Sequence, residues 1–243
     1  MNLQWENVTK VIRDAVTKSG IKASDIIGIC CSGHGAGAYL VDRDGKPVRP
    51  AVTSMDSRAS EVLKAWEMEG RNCYLRTHQH LWSGQAIPIL YWLKRNEPDS
   101  FSRIDRILLA KDWINYKLTG VSASEYTDSS NSSLISLADN RYDKGILETF
   151  EIGEVFDKLP ELYRSTDIIG KVSKAAAEET GLMQGTPVMG GMFDVVACAL
   201  GSGVYDEGKY SLIAGTWNIN SAVEGRLLES GKTVKCTLYA DES

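Results

Sequence analysis

Short apolar runs that end in glycine constrain this chain more than any other feature. Ile26 to Cys31 runs straight into Ser32-Gly33-His34-Gly35-Ala36-Gly37, and Pro187-Val188-Met189 into Gly190-Gly191. Runs this short are read as strands buried on both faces rather than as helices. A second run, Ala38 to Val41, ends at the turn signal Asp42-Arg43-Asp44-Gly45-Lys46-Pro47. Ile104 to Ala110 and Tyr210 to Ala214 are read as further strands, with Gly215-Thr216 as a turn into Asn218 to Val223.

Amphipathic segments lie between these strands. Residues 5–19 carry Trp5, Val8, Val11, Ile12 and Val16 at helical spacing, with Gly20 placed as a C-terminal cap. Helices are also expected at 57–69, at 86–96 with a stop near Pro98, at 111–118 before Gly120, at 173–180 before Gly181, and at 193–200. Strands alternating with helices give an α/β fold. Residues 121–135 hold Ser122, Ser124, Ser129, Ser130, Ser132 and Ser133 and are read as loop or edge structure.

Charge and cysteine usage narrow the function classes. The 243 residues contain 27 Lys plus Arg against 32 Asp plus Glu, a net charge of −5 that argues against nucleic-acid binding. No apolar run reaches the roughly 20 residues of a membrane helix. The five cysteines have irregular spacing and no C-x-x-C pair, which fits reduced cytoplasmic thiols and no zinc. Met1-Asn2-Leu3-Gln4-Trp5-Glu6 has neither the basic nor the apolar region of a signal peptide. His78 and His80 bracket Gln79, too weak a pattern to assign a metal site.

Two loops could carry chemistry. Asp194 follows a glycine pair at a strand end and opens a helix, where it is either a group pointing into a ligand cleft or a simple helix cap. Gly215-Thr216 offers backbone N–H groups and a hydroxyl to a phosphate, or is an ordinary hairpin turn.

The order of motifs resembles the FGGY family of carbohydrate kinases. Ile26 to Gly33 is similar to that family's strand before the sugar-contacting loop, and Asp56-Ser57-Arg58 to its D-x-R segment. Tyr91 to Pro98 resembles a W-L-K-x-x-x-P helix end, and Lys111-Asp112-Trp113 through Leu118-Thr119-Gly120 a K-D-W…L-T-G segment. Gly185 to Asp194 resembles the segment with the catalytic aspartate, and Gly215-Thr216 the second phosphate motif.

The resemblance implies a ribonuclease H-like domain of the actin/hexokinase/Hsp70 ATPase type. It also implies in-line transfer of the ATP γ-phosphoryl group, with Mg²⁺, to a sugar hydroxyl. Asp194 would be the base, Asp56, Arg58, His34, Gly35 and Trp82 the sugar contacts, and Gly215 and Thr216 the phosphate contacts. For Asp56 and Arg58 a local salt bridge is the competing reading, for His34 a solvated loop residue, and for Trp82 packing. Family members often form homodimers, and no residue here bears on that. The family's S-G-Q-M-H-G loop reads Ser32-Gly33-His34-Gly35-Ala36-Gly37 here, which points away from D-xylulose. The Leu81-Trp82-Ser83-Gly84 and Phe193-Asp194-Val195-Val196 segments look more like the L-xylulose/3-keto-L-gulonate branch.

The expected organisation over 1–243 is a partial N-terminal, sugar-binding domain. The family's first phosphate hairpin, G-x-D-x-G-T, and its C-terminal ATPase half have no counterpart in the sequence, so this chain alone is expected to be inactive. A non-catalytic sugar-binding module is the alternative of a different class. A kinase for D-xylulose, or for a polyol such as glycerol or erythritol, is the alternative within the enzymes.

Overall fold

The computed structural model describes residues 1–214, 218–228 and 233–239. Helix α1 (Asn2–Ser19) ends at Gly20 in the left-handed conformation, and strand β1 (Ile29–Gly33) follows a short 3-10 turn. Helix α2 (Ala110–Thr119) also ends on a left-handed glycine, Gly120. Strand β2 (Ile168–Lys171), strand β3 (Pro187–Phe193) and helix α3 (Asp194–Gly201) complete the frame of the site. The sheet order is β1-β3-β2, with β1 parallel to β3 and β2 antiparallel to it.

Two apolar cores flank this frame. Trp5, Leu118, Ala123, Ile169, Val172, Ala176 and Val188 pack α1 and α2 onto the sheet. Leu40, Trp66, Ile87, Leu90, Leu93 and Phe150 form the second core, within the long insertion between β1 and β2. Each such side chain contributes about 1.5–3 kcal/mol when fully buried. The insertion contains the antiparallel pair Tyr39–Val41 with Arg106–Leu108, and the helices Ser60–Met68 and Ala86–Asn96. Pro98 stops that last helix and also starts a short one, Pro98–Ser102, because its fixed φ suits a first helical position.

Two expectations from sequence need correction. The glycine pair does not break its strand. β3 runs through Gly190 and Gly191, which form a bulge: Cys30 pairs with Met189 and Ser32 with Met192, so β3 holds one extra residue. Gly191 has φ 75°, and a Cβ there would collide with the Cys31 carbonyl, so only glycine fits. The bulged backbone is satisfied: the Gly191 amide donates to the Ser165 carbonyl (3.0 Å), and Asn115 of α2 donates to the Gly190 carbonyl (3.1 Å).

The second correction concerns the serine-rich stretch. It is not a surface loop. It forms the strand Ala123–Glu125 and the helix Tyr126–Asn131, and nearly every residue from 123 to 137 is buried. The reason is Lys111, which is fully buried with its Nζ 2.8 Å from Asp112, 3.6 Å from Glu125 and 4.0 Å from Asp128. Three hydroxyls, those of Ser124, Thr127 and Ser165, solvate this cluster in place of water. Ser124 Oγ donates to Asp112 (2.6 Å), Ser165 Oγ to Glu125 (2.8 Å) and Thr127 Oγ1 to Glu125 (2.8 Å). Three carboxylates face one ammonium in a dry interior, so burial and like charge hold the Asp128 carboxyl well above the usual carboxylate range.

Replacing Lys111 by Met leaves the buried acidic groups Asp112, Glu125 and Asp128 with no cation. We expect a loss of about 3–5 kcal/mol, read as a lower urea midpoint. Asp128→Asn should act oppositely, and with a definite pH trend. Below the ordinary carboxylate value of 3.8, Asp128 is protonated in both folded and unfolded chains. As pH rises above it, the unfolded carboxyl ionises while the folded one keeps its proton, which penalises folding. The advantage of Asp128→Asn over the parent should therefore grow with pH above about 4, and an advantage that does not change with pH would refute this account.

Candidate active site

Parallel pairing brings the carboxyl ends of β1 and β3 together, with Gly33 opposite Phe193. The loop from His34 to Gly37 leaves one strand, and Asp194 leaves the other. Ligands of open α/β sheets gather beyond such strand ends.

Asp194 is the first residue of α3 and is half-buried. Burial raises its carboxyl above the usual value, against the lowering effect of the Val195 amide and of the charges at His34 and Lys235. The N-cap position itself is Phe193, which makes no side-chain cap bond; Asp194 stands one residue further in, and its carboxylate takes the Val195 amide. A carboxylate so placed is a stronger proton acceptor than an exposed one.

His34 is held by its own loop, Nδ1 at 3.2 Å from the Gly35 carbonyl and Nε2 at 3.1 Å from Tyr39 Oη. Gly35 is buried, and a Cβ on it would press into Asn131 Nδ2 and lie 2.6 Å from the Phe193 ring. The room for a side chain at Gly35 is thus already filled. Trp82 lies beside these groups, and its buried indole N–H has no partner among the described residues.

The sequence reading missed Lys235. It arrives on a stretch that crosses to His78–His80, where Gln79 and Lys235 form an antiparallel bridge and the Cys236 amide donates to the His78 carbonyl (2.9 Å). Its Nζ donates to Asn131 Oδ1 and stands 5.1 Å from the Trp82 ring centre and 5.2 Å from that of Phe193. Burial lowers its ammonium to about 8, even with Asp128 and Asp194 pulling upward. A lone lysine carries no local motif, so no sequence signal could have found it.

Asp56 and Arg58 stand apart from this group. The guanidinium grips its neighbour's carboxylate through two bonds of 2.8 and 2.9 Å, lies 5.0 Å from the Trp92 ring centre and reaches Glu97 at 3.9 Å. Arg58 holds the Asp56 carboxyl below the usual range. The pair satisfies itself, and its visible link to the site is Ser83 Oγ donating to the Asp56 carbonyl at 3.0 Å. His78 and His80 both lean on Tyr74, with ring centres 5.9 and 4.9 Å away. Gly215 and Thr216 lie outside the described residues, although the strands Tyr210–Ile213 and Ile219–Ala222 on either side pair as a hairpin. Among the described residues no group of three or more His, Cys, Asp or Glu could hold a metal ion, and no helix is long and apolar enough to cross a membrane.

The fold is shared with solved structures. A xylulose kinase from Rhodospirillum rubrum superposes with a TM-score of 0.75 at 27% identity, over 86% of this chain and 43% of that one. A ligand-bound xylulose kinase from Lactobacillus acidophilus gives 0.82 at 21% identity, over 89% and 44%. The fold is that of the actin/hexokinase-like ATPases, in the class of the sugar kinases. Residues 1–201 match the model of the FGGY family of carbohydrate kinases, N-terminal domain, and the chain belongs to that family.

Curated relatives refine the comparison. The chain is 38% identical to a probable L-xylulose kinase of Pasteurella multocida, over 92% of this chain and 47% of that protein. It is 36% identical to the L-xylulose/3-keto-L-gulonate kinase of Escherichia coli, over 90% and 44%. To the xylulose kinase of Bacillus subtilis the figure is 30%, over 87% and 42%. The chain spans about half the length of the curated relatives it matches.

The crowding at Gly35 makes a testable claim about the loop. Gly35→Met should lower stability by about 1–3 kcal/mol in thermal unfolding, the usual cost of overpacking. Adding Asn131→Ala to Gly35→Met should recover part of that loss. Strictly additive losses would show that Asn131 is not the obstacle.

Proposed function

We propose that the full-length protein transfers the γ-phosphoryl group of ATP to a hydroxyl of a ketopentose or related keto-sugar of the L-xylulose or 3-keto-L-gulonate type. The observation that carries this reading is Asp194: a half-buried carboxylate of raised pKa, at the junction of two parallel strand ends, beside the His34 loop. The higher identity to relatives named for L-xylulose (38 and 36%) than to the Bacillus subtilis xylulose kinase (30%) supports the branch. The filled space at Gly35 supports a loop that differs from the S-G-Q-M-H-G form.

In this reading the sugar hydroxyl donates a hydrogen bond to Asp194, which aligns its oxygen and takes its proton as the new O–P bond forms and the bond from the γ-phosphorus to the leaving ADP oxygen breaks. Trp82 walls the pocket and offers its indole N–H to a second hydroxyl. His34, fixed by Tyr39, contacts the sugar from the facing loop. Gly215 and Thr216 meet the phosphates. ATP with Mg²⁺ is the donor. The same reading carries a cytoplasmic protein with a small-molecule substrate and the homodimer that the resemblance implies.

Asp194→Asn in the full-length protein should cut kcat by about 10²–10⁴-fold while sugar binding persists. Turnover at the parent rate would remove Asp194 from the role of base. His34→Ala should raise KM for the sugar and leave KM for ATP unchanged; a steady sugar KM would return His34 to a purely structural part.

A further inference from the structure

We infer that Lys235 selects for a keto-sugar that carries a carboxylate, pairing its ammonium with that group beside the Trp82 and Phe193 rings. The inference rests on the kinase reading of Asp194 and goes further, choosing the sugar acid over the neutral ketose.

The position of Lys235 is fixed from both sides. Its backbone bridges Gln79, the Cys236 amide binds the His78 carbonyl at 2.9 Å, and the Leu238 amide binds Ser130 Oγ at 2.9 Å. The side chain is largely buried, and its ammonium sits over two aromatic faces next to the strand end that delivers Asp194. Of its three N–H bonds, one goes to Asn131 Oδ1. Among the described residues no ion pair is formed by its Nζ; the Asp194 carboxylate acts on it only through its field.

A buried cation without an ion pair is costly to keep in a site for an uncharged ligand. Two electron-rich rings and one amide oxygen return only part of the lost hydration. A ligand carboxylate would complete the set, taking the remaining N–H bonds as charge-assisted hydrogen bonds of the stronger kind. A neutral pentulose offers only hydroxyls there. L-xylulose and 3-keto-L-gulonate make a suitable pair of probes: the second is the six-carbon acid whose decarboxylation gives the first.

The test compares these two sugars on the full-length protein and on its Lys235→Gln and Lys235→Arg variants. The parent should use the acid about tenfold better in kcat/KM than L-xylulose, the scale of one charged hydrogen bond. Lys235→Gln should raise KM for the acid about tenfold with kcat held, leave KM for L-xylulose within about twofold, and so erase the preference. Lys235→Arg, which keeps the charge, should retain part of it. A parent that prefers L-xylulose, or a Lys235→Gln loss equal for both sugars, overturns the inference; an equal loss in kcat would instead place Lys235 at the transferred phosphoryl group. If neither sugar is phosphorylated, the kinase reading falls on its own. Calorimetric Kd for 3-keto-L-gulonate then decides, a tenfold weakening in Lys235→Gln upholding the inference and an unchanged Kd ending it.

Discussion

The buried contact between Lys111 and three carboxylates organises the rest of this structure. It joins α2, the strand Ala123–Glu125 and the helix Tyr126–Asn131 at one point in the interior. Its reach extends to the strand ends. Glu125 accepts from Thr127 Oγ1, and Thr127 Oγ1 in turn accepts from the Phe193 amide at 2.9 Å, one residue before Asp194. Glu125 also takes Ser165 Oγ, whose backbone carbonyl receives the Gly191 amide. Burying so many charges is unfavourable against an apolar core of the same volume. The arrangement specifies a register that leucine and valine alone would leave loose, because hydrogen bonds tolerate misplacement poorly.

How much of this was legible follows from the range of each interaction. Helix ends at Gly20, Gly120 and Gly181 were readable because capping is decided within one turn of chain. The strands around residues 30 and 190 were readable because apolar runs and glycine exits are local too. The role of residues 121–135 was not. A serine hydroxyl looks the same in sequence whether it faces water or a buried carboxylate. What decides between them is Lys111, on another element. Asp194 stood out by its glycine pair and its resemblance. Lys235 did not, since its place depends on the chain returning to His78–His80 across most of the length of the molecule.

The same distinction separates the members of the expected sugar site. His34, Gly35, Trp82 and Asp194 converge, together with Asn131 and Lys235. Asp56 and Arg58 lie two residues apart and close on each other with bidentate geometry. This pair is joined to the rest through the Asp56 carbonyl, which accepts from Ser83 Oγ. Trp82 presents the contrary case, a buried donor that nothing described in the chain satisfies.

The bulge at Gly190-Gly191 has a consequence for how this chain tolerates change. Side chains alternate faces along a strand, so one extra residue reverses every position beyond it. The point at which the strand hands over to α3 and Asp194 is therefore set by counting. Most substitutions leave that count intact, but an insertion or deletion of one residue between Met189 and Phe193 would keep the composition and turn the aspartate away. In this segment the number of residues carries information of its own, beside the glycine that position 191 demands.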